Sequence, residues 1–201
     1  MTIKQTESFL KEKNKFKFSS VNEQKISKII LKYPKGRQAS AVLPLLDLAM
    51  RQNEGYISNS VIEEVAHILE MPIIKVYEVA TFYSMFNLKP VGKNLVQICT
   101  TTPCWLRGSD KVLGVCMKKL GIKVNETTKD NLFTLMEVEC LGACVHAPMM
   151  QVNDHYYEDL NEERTVKILD ALSKNIKISH GSQDANRIGS APIKKHSDER
   201  G

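Results

Sequence analysis

Five cysteines stand in the chain, and four of them fall into two tight pairs: Cys99 and Cys104 in LVQICTTTPCWLRGS, and Cys140 and Cys144 in MEVECLGACVHAPM. Thiols grouped in this way, with one helix-sized and one strand-sized segment between the groups, are suited to converge on a single metal centre. Structural zinc takes four cysteines in pairs spaced by about two to four residues, which both pairs satisfy. A thioredoxin-type redox pair needs C-x-x-C at a helix start, and neither C-x4-C nor C-x3-C has that spacing. A 2Fe-2S cluster takes four thiolates, held by loops near strand ends where backbone N–H groups reach the sulfurs. The surroundings favour the cluster, since Gly142 and Ala143 within LGAC suit close backbone approach, and Thr100, Thr101 and Thr102 offer hydroxyls near the sulfurs. Spacing alone leaves both metal readings open.

The remaining residues with chemical potential have plainer explanations. Cys116 lies one turn from Val112 and Leu120 on an apolar helix face, where a free thiol packs as a small hydrophobe. His67 belongs to a helix surface or core edge, and His155 flanks a turn and is expected to be solvated. Tyr77, Phe82, Tyr83 and Phe86 have core spacing, with some of them free to face a partner. Trp105, directly after Cys104, suits either shielding of the centre or an interface.

The elements that must position the cysteines follow from periodicity. A chain of 201 residues, 42% hydrophobic and 25% charged, has the composition of a soluble globular protein. No apolar run approaches the roughly 18 residues of a bilayer span. The first twenty residues mix Lys with Glu and lack the apolar core and cleavage site of a secretory signal. The cysteines are therefore expected in a reducing compartment, where metal ligation is a better default than disulfides. The net charge of +5 is spread along the chain, with no basic stripe and reading motif for nucleic acid. No G-x-G-x-x-G or phosphate-loop pattern is present, so no nucleotide site is expected on this chain.

Helical spacing recurs from Asn22 to Tyr33, across SAVLPLLDLAMRQN, after Ser60 with Glu63 as a capping box, and after Pro72 through VYEVATFYSMF. Beyond Pro90 and Gly92 the order becomes strand (LVQIC), helix from Ser109 to the stop at Gly121, strand (NLFTLMEVE), a hairpin across Asn153 and Asp154, and a helix capped by Asn161. This is an α+β arrangement: an N-terminal helical bundle followed by a layer compatible with a thioredoxin-like sheet, with helices expected on both faces. The expected boundaries are a mobile arm at 1–20, the bundle at 21–88, the sheet domain at 89–176 and a polar tail without its own core at 177–201.

C-x4-C, the 35 residues from 105 to 139, then C-x3-C, with YPKGRQASAVLPLLDLA and VYEVATFYSMF upstream and CLGACVHAPMMQVNDHYYEDL downstream, closely resemble the thioredoxin-like 2Fe-2S subunit family of respiratory complex I. Its members are the E subunit of bacterial NADH-quinone oxidoreductase and the 24 kDa subunit of mitochondria. The match runs over roughly residues 18 to 175. The resemblance implies one 2Fe-2S cluster ligated by Cys99, Cys104, Cys140 and Cys144, beside the FMN of a partner flavoprotein subunit that also binds NADH. It implies further peripheral-arm partners and no catalysis by the isolated chain. It also implies a cytoplasmic position, peripheral on the inner face of the bacterial inner membrane, reached through the complex. Similar subunits serve NAD-linked hydrogenases and formate dehydrogenases, which stand as alternative hosts; a zinc-stapled scaffold is the alternative of a different class. The family usually has Asn in CVNAPM where this chain has His146, which leaves ligation intact and puts the tuning of the cluster at issue.

Overall fold

The computed structural model describes residues 15–187, which divide between Pro90 and Val91 into two compact units. The first is helical, with α1 (Ser20–Ile30), α2 (Val42–Gln52), α3 (Asn59–Leu69) and α4 (Ile73–Phe82). In α2 the buried residues Val42, Leu45, Leu46 and Ala49 form the stripe that a 3.6-residue period puts on one face. The core of this unit adds Ile26, Val61, Val65, Leu69 and Val76 to that stripe.

Three expectations for this unit are corrected. Residues 15–19 do not belong to a free arm: Phe18 is buried in the core, and Gln52 accepts the Ser19 N–H while donating to the Lys17 carbonyl. The rest of that arm, 1–14, lies outside the described residues. The cap of α3 is Ser58 instead of Ser60, because Ser58 is the last residue with extended backbone and its Oγ accepts the Val61 N–H. The fourth helix ends at Phe82, since Tyr83 turns to an extended conformation; Phe86 still reaches the core from the loop beyond.

The second unit carries β1 (Asn94–Cys99), α5 (Thr102–Leu106), α6 (Ser109–Leu120), β2 (Glu126–Thr127) and β3 (Phe133–Val138), then β4 (Met150–Val152), β5 (His155–Glu158), α7 (Glu162–Ser173) and β6 (Gly181–Ser182). The strand order is β2-β3-β1-β4-β5-β6, with β1/β3 and β5/β6 parallel and the other pairs antiparallel. Asn161 caps α7 by accepting the Arg164 N–H at 2.8 Å, and Gly121 ends α6 in the left-handed region, both as expected. Gly92 sits against β3 so closely that a Cβ there would lie 2.7 Å from the Phe133 carbonyl carbon.

Val96, Ile98, Phe133, Leu135, Met150, Val152 and Tyr157 share one sheet face by register, and this face packs on Val112 and Cys116 of α6 and Ile168 and Leu169 of α7. Both long helices of the unit therefore cover the same face, where helices on both faces were expected. The opposite face carries Gln97 and Gln151, which are register partners and only partly buried. Two polar residues side by side do not suit a second helical layer. The expected tail is also revised: Gly181 and Ser182 pair with Tyr157 and Glu158 as a sixth strand, while 188–201 lie outside the described residues.

Candidate metal centre

β1 ends on Cys99, and the chain turns at once into α5, whose first turn holds Pro103 and whose third residue is Cys104. A Pro there costs no hydrogen bond, because the first N–H groups of a helix have no internal acceptor. Thr101 precedes the helix, but its hydroxyl does not cap it; Thr101 Oγ1 lies 3.2 Å from Cys99 Sγ instead. Of the three threonines, only Thr101 meets a sulfur in this way, since Thr100 donates to Glu137 and Thr102 is exposed at the helix start.

The second pair lies on the loop after β3. Gly142 is needed there for its φ of +80°, a left-handed conformation costly for side-chain-bearing residues. Close approach is not the reason, because nothing lies within 4 Å of where its Cβ would be. Its N–H points to Cys140 Sγ at 3.4 Å, and Cys140 and Cys144 Sγ are 4.0 Å apart. Tyr156 on β5 donates its hydroxyl to the Leu141 carbonyl at 2.7 Å and pins this loop to the sheet.

The two pairs are brought together by the backbone. Leu141 of the second loop and Met149 beyond it lower the Cys99 and Cys104 thiols through their backbones, the Cys99 N–H faces the Met149 carbonyl at 3.4 Å, and the charge of Cys99 reaches Cys144. Cys99 and Cys104 are buried, whereas Cys140 and Cys144 are exposed; none forms a disulfide. Cys116 lies apart, fully buried in the core under α6. Burial alone would raise the Cys99 thiol, but bonds from Thr101 and Leu141 outweigh it and hold that thiol below the ordinary value. Burial, reinforced by the hydrogen bond and charge of Cys99, pushes Cys104 up to about 12. Cys144 is also raised, by its hydrogen bond with Cys140, by burial and by the charges of Cys140 and Cys99.

This donor set fits a 2Fe-2S cluster. Four sulfurs whose charges oppose one another cannot all ionise unless cations join them, and N–H donors aimed at the sulfurs are the surroundings such clusters use. The two pairs offer the four thiolates that a 2Fe-2S cluster takes.

The model of the thioredoxin-like [2Fe-2S] ferredoxin family matches residues 26–173. The chain belongs to this family. Among its relatives, the NADH-quinone oxidoreductase E subunit of Rickettsia felis is 59% identical over 162 residues, covering 81% of this chain and 97% of that protein. The mitochondrial NADH dehydrogenase [ubiquinone] flavoprotein 2 of Dictyostelium discoideum is 50% identical over 181 residues, covering 90% of this chain and 73% of that one. Among solved structures, an NAD+-reducing [NiFe]-hydrogenase in the air-oxidised state matches with a TM-score of 0.58 at 17% identity, over 66% of this chain and 23% of that chain. The last likeness is one of fold. The thioredoxin-like ferredoxin fold and the complex I family expected from the motif are thus both found.

The other residues singled out in the sequence also have places. Trp105 is 60% exposed, with Leu106 and Val145 exposed beside the same cysteines, so the indole does not shield the centre. His67 is exposed, and His155 stacks on His180 with ring centroids 4.7 Å apart. His146 is buried with Nδ1 2.9 Å from Asp159 Oδ2. Sequence reasoning missed Tyr156, Asp159 and Arg187 around the ligand loop. Only Tyr156, in a strand of expected register, left a signal that could have found it.

Proposed function

We propose that this chain is the electron-transfer subunit of an NADH-quinone oxidoreductase that carries a 2Fe-2S cluster near the flavin, with Cys99, Cys104, Cys140 and Cys144 as the ligands. The observation that supports the reading is that Cys99 and Cys104 share one buried cluster with Ala143 and Met149, which flank Cys144, and that the charge of Cys99 reaches Cys144. A 2Fe-2S cluster takes up and gives back single electrons, which suits exchange with a flavin held by a partner subunit. The protein's part is to aim Thr101, Leu141, Gly142 and Met149 at the sulfurs and to keep Cys99 and Cys104 from water. Donors of this kind set the potential of a cluster.

FMN and NADH belong, on this reading, to the partner flavoprotein. Trp105, Leu106 and Val145, exposed next to the ligands, offer an apolar rim for that partner. No described helix is long and apolar enough to cross a membrane, and we place the chain in the peripheral arm on the cytoplasmic side. The named relatives at 50–59% identity favour complex I over a hydrogenase or formate dehydrogenase as host.

Analysis of anaerobically purified protein tests the assignment. Two irons and two acid-labile sulfides per chain are expected, lost in Cys104→Ala and kept in Cys116→Ala. Stoichiometric zinc without labile sulfide overturns it.

A further inference from the structure

Behind the turn that carries Cys144 lies a polar network for which the proposed electron transfer has no use. Its centre is Asp159, at the end of β5, with a side chain only 5% exposed. One carboxylate oxygen, Oδ2, faces His146 Nδ1 at 2.9 Å and accepts the Ser182 hydroxyl at 2.5 Å; the other accepts Arg187 Nη1. The second arm of the same guanidinium, Nη2, donates to the Val145 carbonyl at 2.7 Å. The Asp159 N–H donates to the His146 carbonyl at 2.8 Å, and Arg164 holds the Asp159 carbonyl at 2.6 Å and faces Asp184 at 3.4 Å. Gln183 N–H continues the strap by donating to the Glu158 carbonyl at 3.0 Å.

A buried carboxylate is costly unless its oxygens are paired and hydrogen-bonded, and here both are. The partners that complete it come largely from 182–187, a segment whose composition carries no core. Arg187 therefore ties the segment after β6 to Val145, the residue next to Cys144. The short turn from Cys144 to His146 has no side-chain cap of its own, and Cys144 and Val145 are exposed.

We propose that residues 178–187 form a clasp on the Cys144 turn and that Arg187 is a positioning residue for the cluster, bridging Asp159 and the Val145 carbonyl. Held from behind, the turn keeps Cys144 Sγ in place and slows release of iron from that side of the site. This inference rests on the proposed ligation by Cys144.

The test uses the full chain with its cluster, as wild type, Arg187→Ala and Arg187→Lys. Iron transfer to a chelator, hydrogen exchange of the amides from Val145 to Ala147, and the electron paramagnetic resonance spectrum of the reduced cluster are measured beside the thermal midpoint. Loss of an outer partner of a metal ligand typically costs about 10-fold to 100-fold in metal binding, so Arg187→Ala should release iron faster by a factor of that order. Amide exchange in the turn should quicken and the spectrum broaden. Lysine keeps the charge but lacks the fork that meets two acceptors, so Arg187→Lys should fall between the other two. A purely structural role would move the thermal midpoint and iron release together, with no graded rescue, and that result overturns the proposal. Unchanged iron release overturns it, as does faster release with unchanged exchange in the turn. If Arg187→Ala does not fold, Arg187→Lys decides alone by the same readings. A wild-type chain without two irons ends the ligation reading instead, and amide exchange compared between wild type and Arg187→Ala still shows whether Arg187 holds the turn.

Discussion

Cys116 and Cys104 have thiols raised to about the same point, about 12, yet their surroundings differ: burial acts on both, but Cys104 also meets the sulfur and charge of Cys99. A thiol raised by burial alone has no partner to serve. Cys116→Ala is expected to leave the visible spectrum of the cluster unchanged and to cost about 1 kcal/mol on chemical denaturation, the scale of a small core truncation. A cluster lost as fully as in Cys104→Ala would mean that the ligand set is wrong. At Gly142, alanine meets open space but must adopt φ +80°, so Gly142→Ala should lower iron occupancy at a strain of roughly 1–2 kcal/mol. Asp130 offers a titration. The Thr128 hydroxyl, then the Leu132 N–H, hold its carboxyl below the ordinary 3.8. Its folded value is depressed, so its stabilising contribution is present above the ordinary carboxylate range and is lost as pH falls through the folded value. In Thr128→Val the Asp130 resonance should titrate at higher pH than in wild type; coincident curves would remove the hydroxyl as the cause.

Elements were legible wherever one local signal fixed them. The stripe from Val42 to Ala49, the Asn161 cap, the Gly121 stop and the hairpin at Asn153 all depend on neighbours within a turn or two, and all stand where the sequence puts them. The cysteines were legible as a group for the same reason, since each pair is a short-range pattern. The α3 cap was misplaced because Ser58 and Ser60 are chemically alike and only backbone conformation, extended at Ser58, separates them. Ser58→Ala should therefore cost about 1 kcal/mol of thermal or chemical stability, and Ser60→Ala less; the reverse order would restore the first assignment. β6 was illegible because its pairing with β5 spans the whole of α7, and two residues carry no period. Gly92 gave a turn signal whose cause is a long-range contact with β3. Gly92→Ala should cost about 1–3 kcal/mol, the usual toll of overpacking, read by denaturation.

At the scale of the whole molecule, the chain lacks a dinucleotide fingerprint, and the purified protein is expected not to oxidise NADH until the flavoprotein partner is added. Turnover by the chain alone, shown free of that partner, would refute this. The helical unit exposes Ile73, Ile74, Phe82 and Met85, each more than half accessible. Phe82→Ser should weaken co-purification with the partner while sparing the cluster spectrum, and unchanged pairing would clear Phe82 of a docking role. The outer strands of the sheet suit such recruitment less. Among the described residues its outermost strands, β2 and β6, are two residues each, so each by itself offers a second chain only a short ladder of N–H and C=O groups to extend. Short outer strands of this kind blunt edge-to-edge pairing between copies of the chain, so that recognition at this end of the fold falls to side chains.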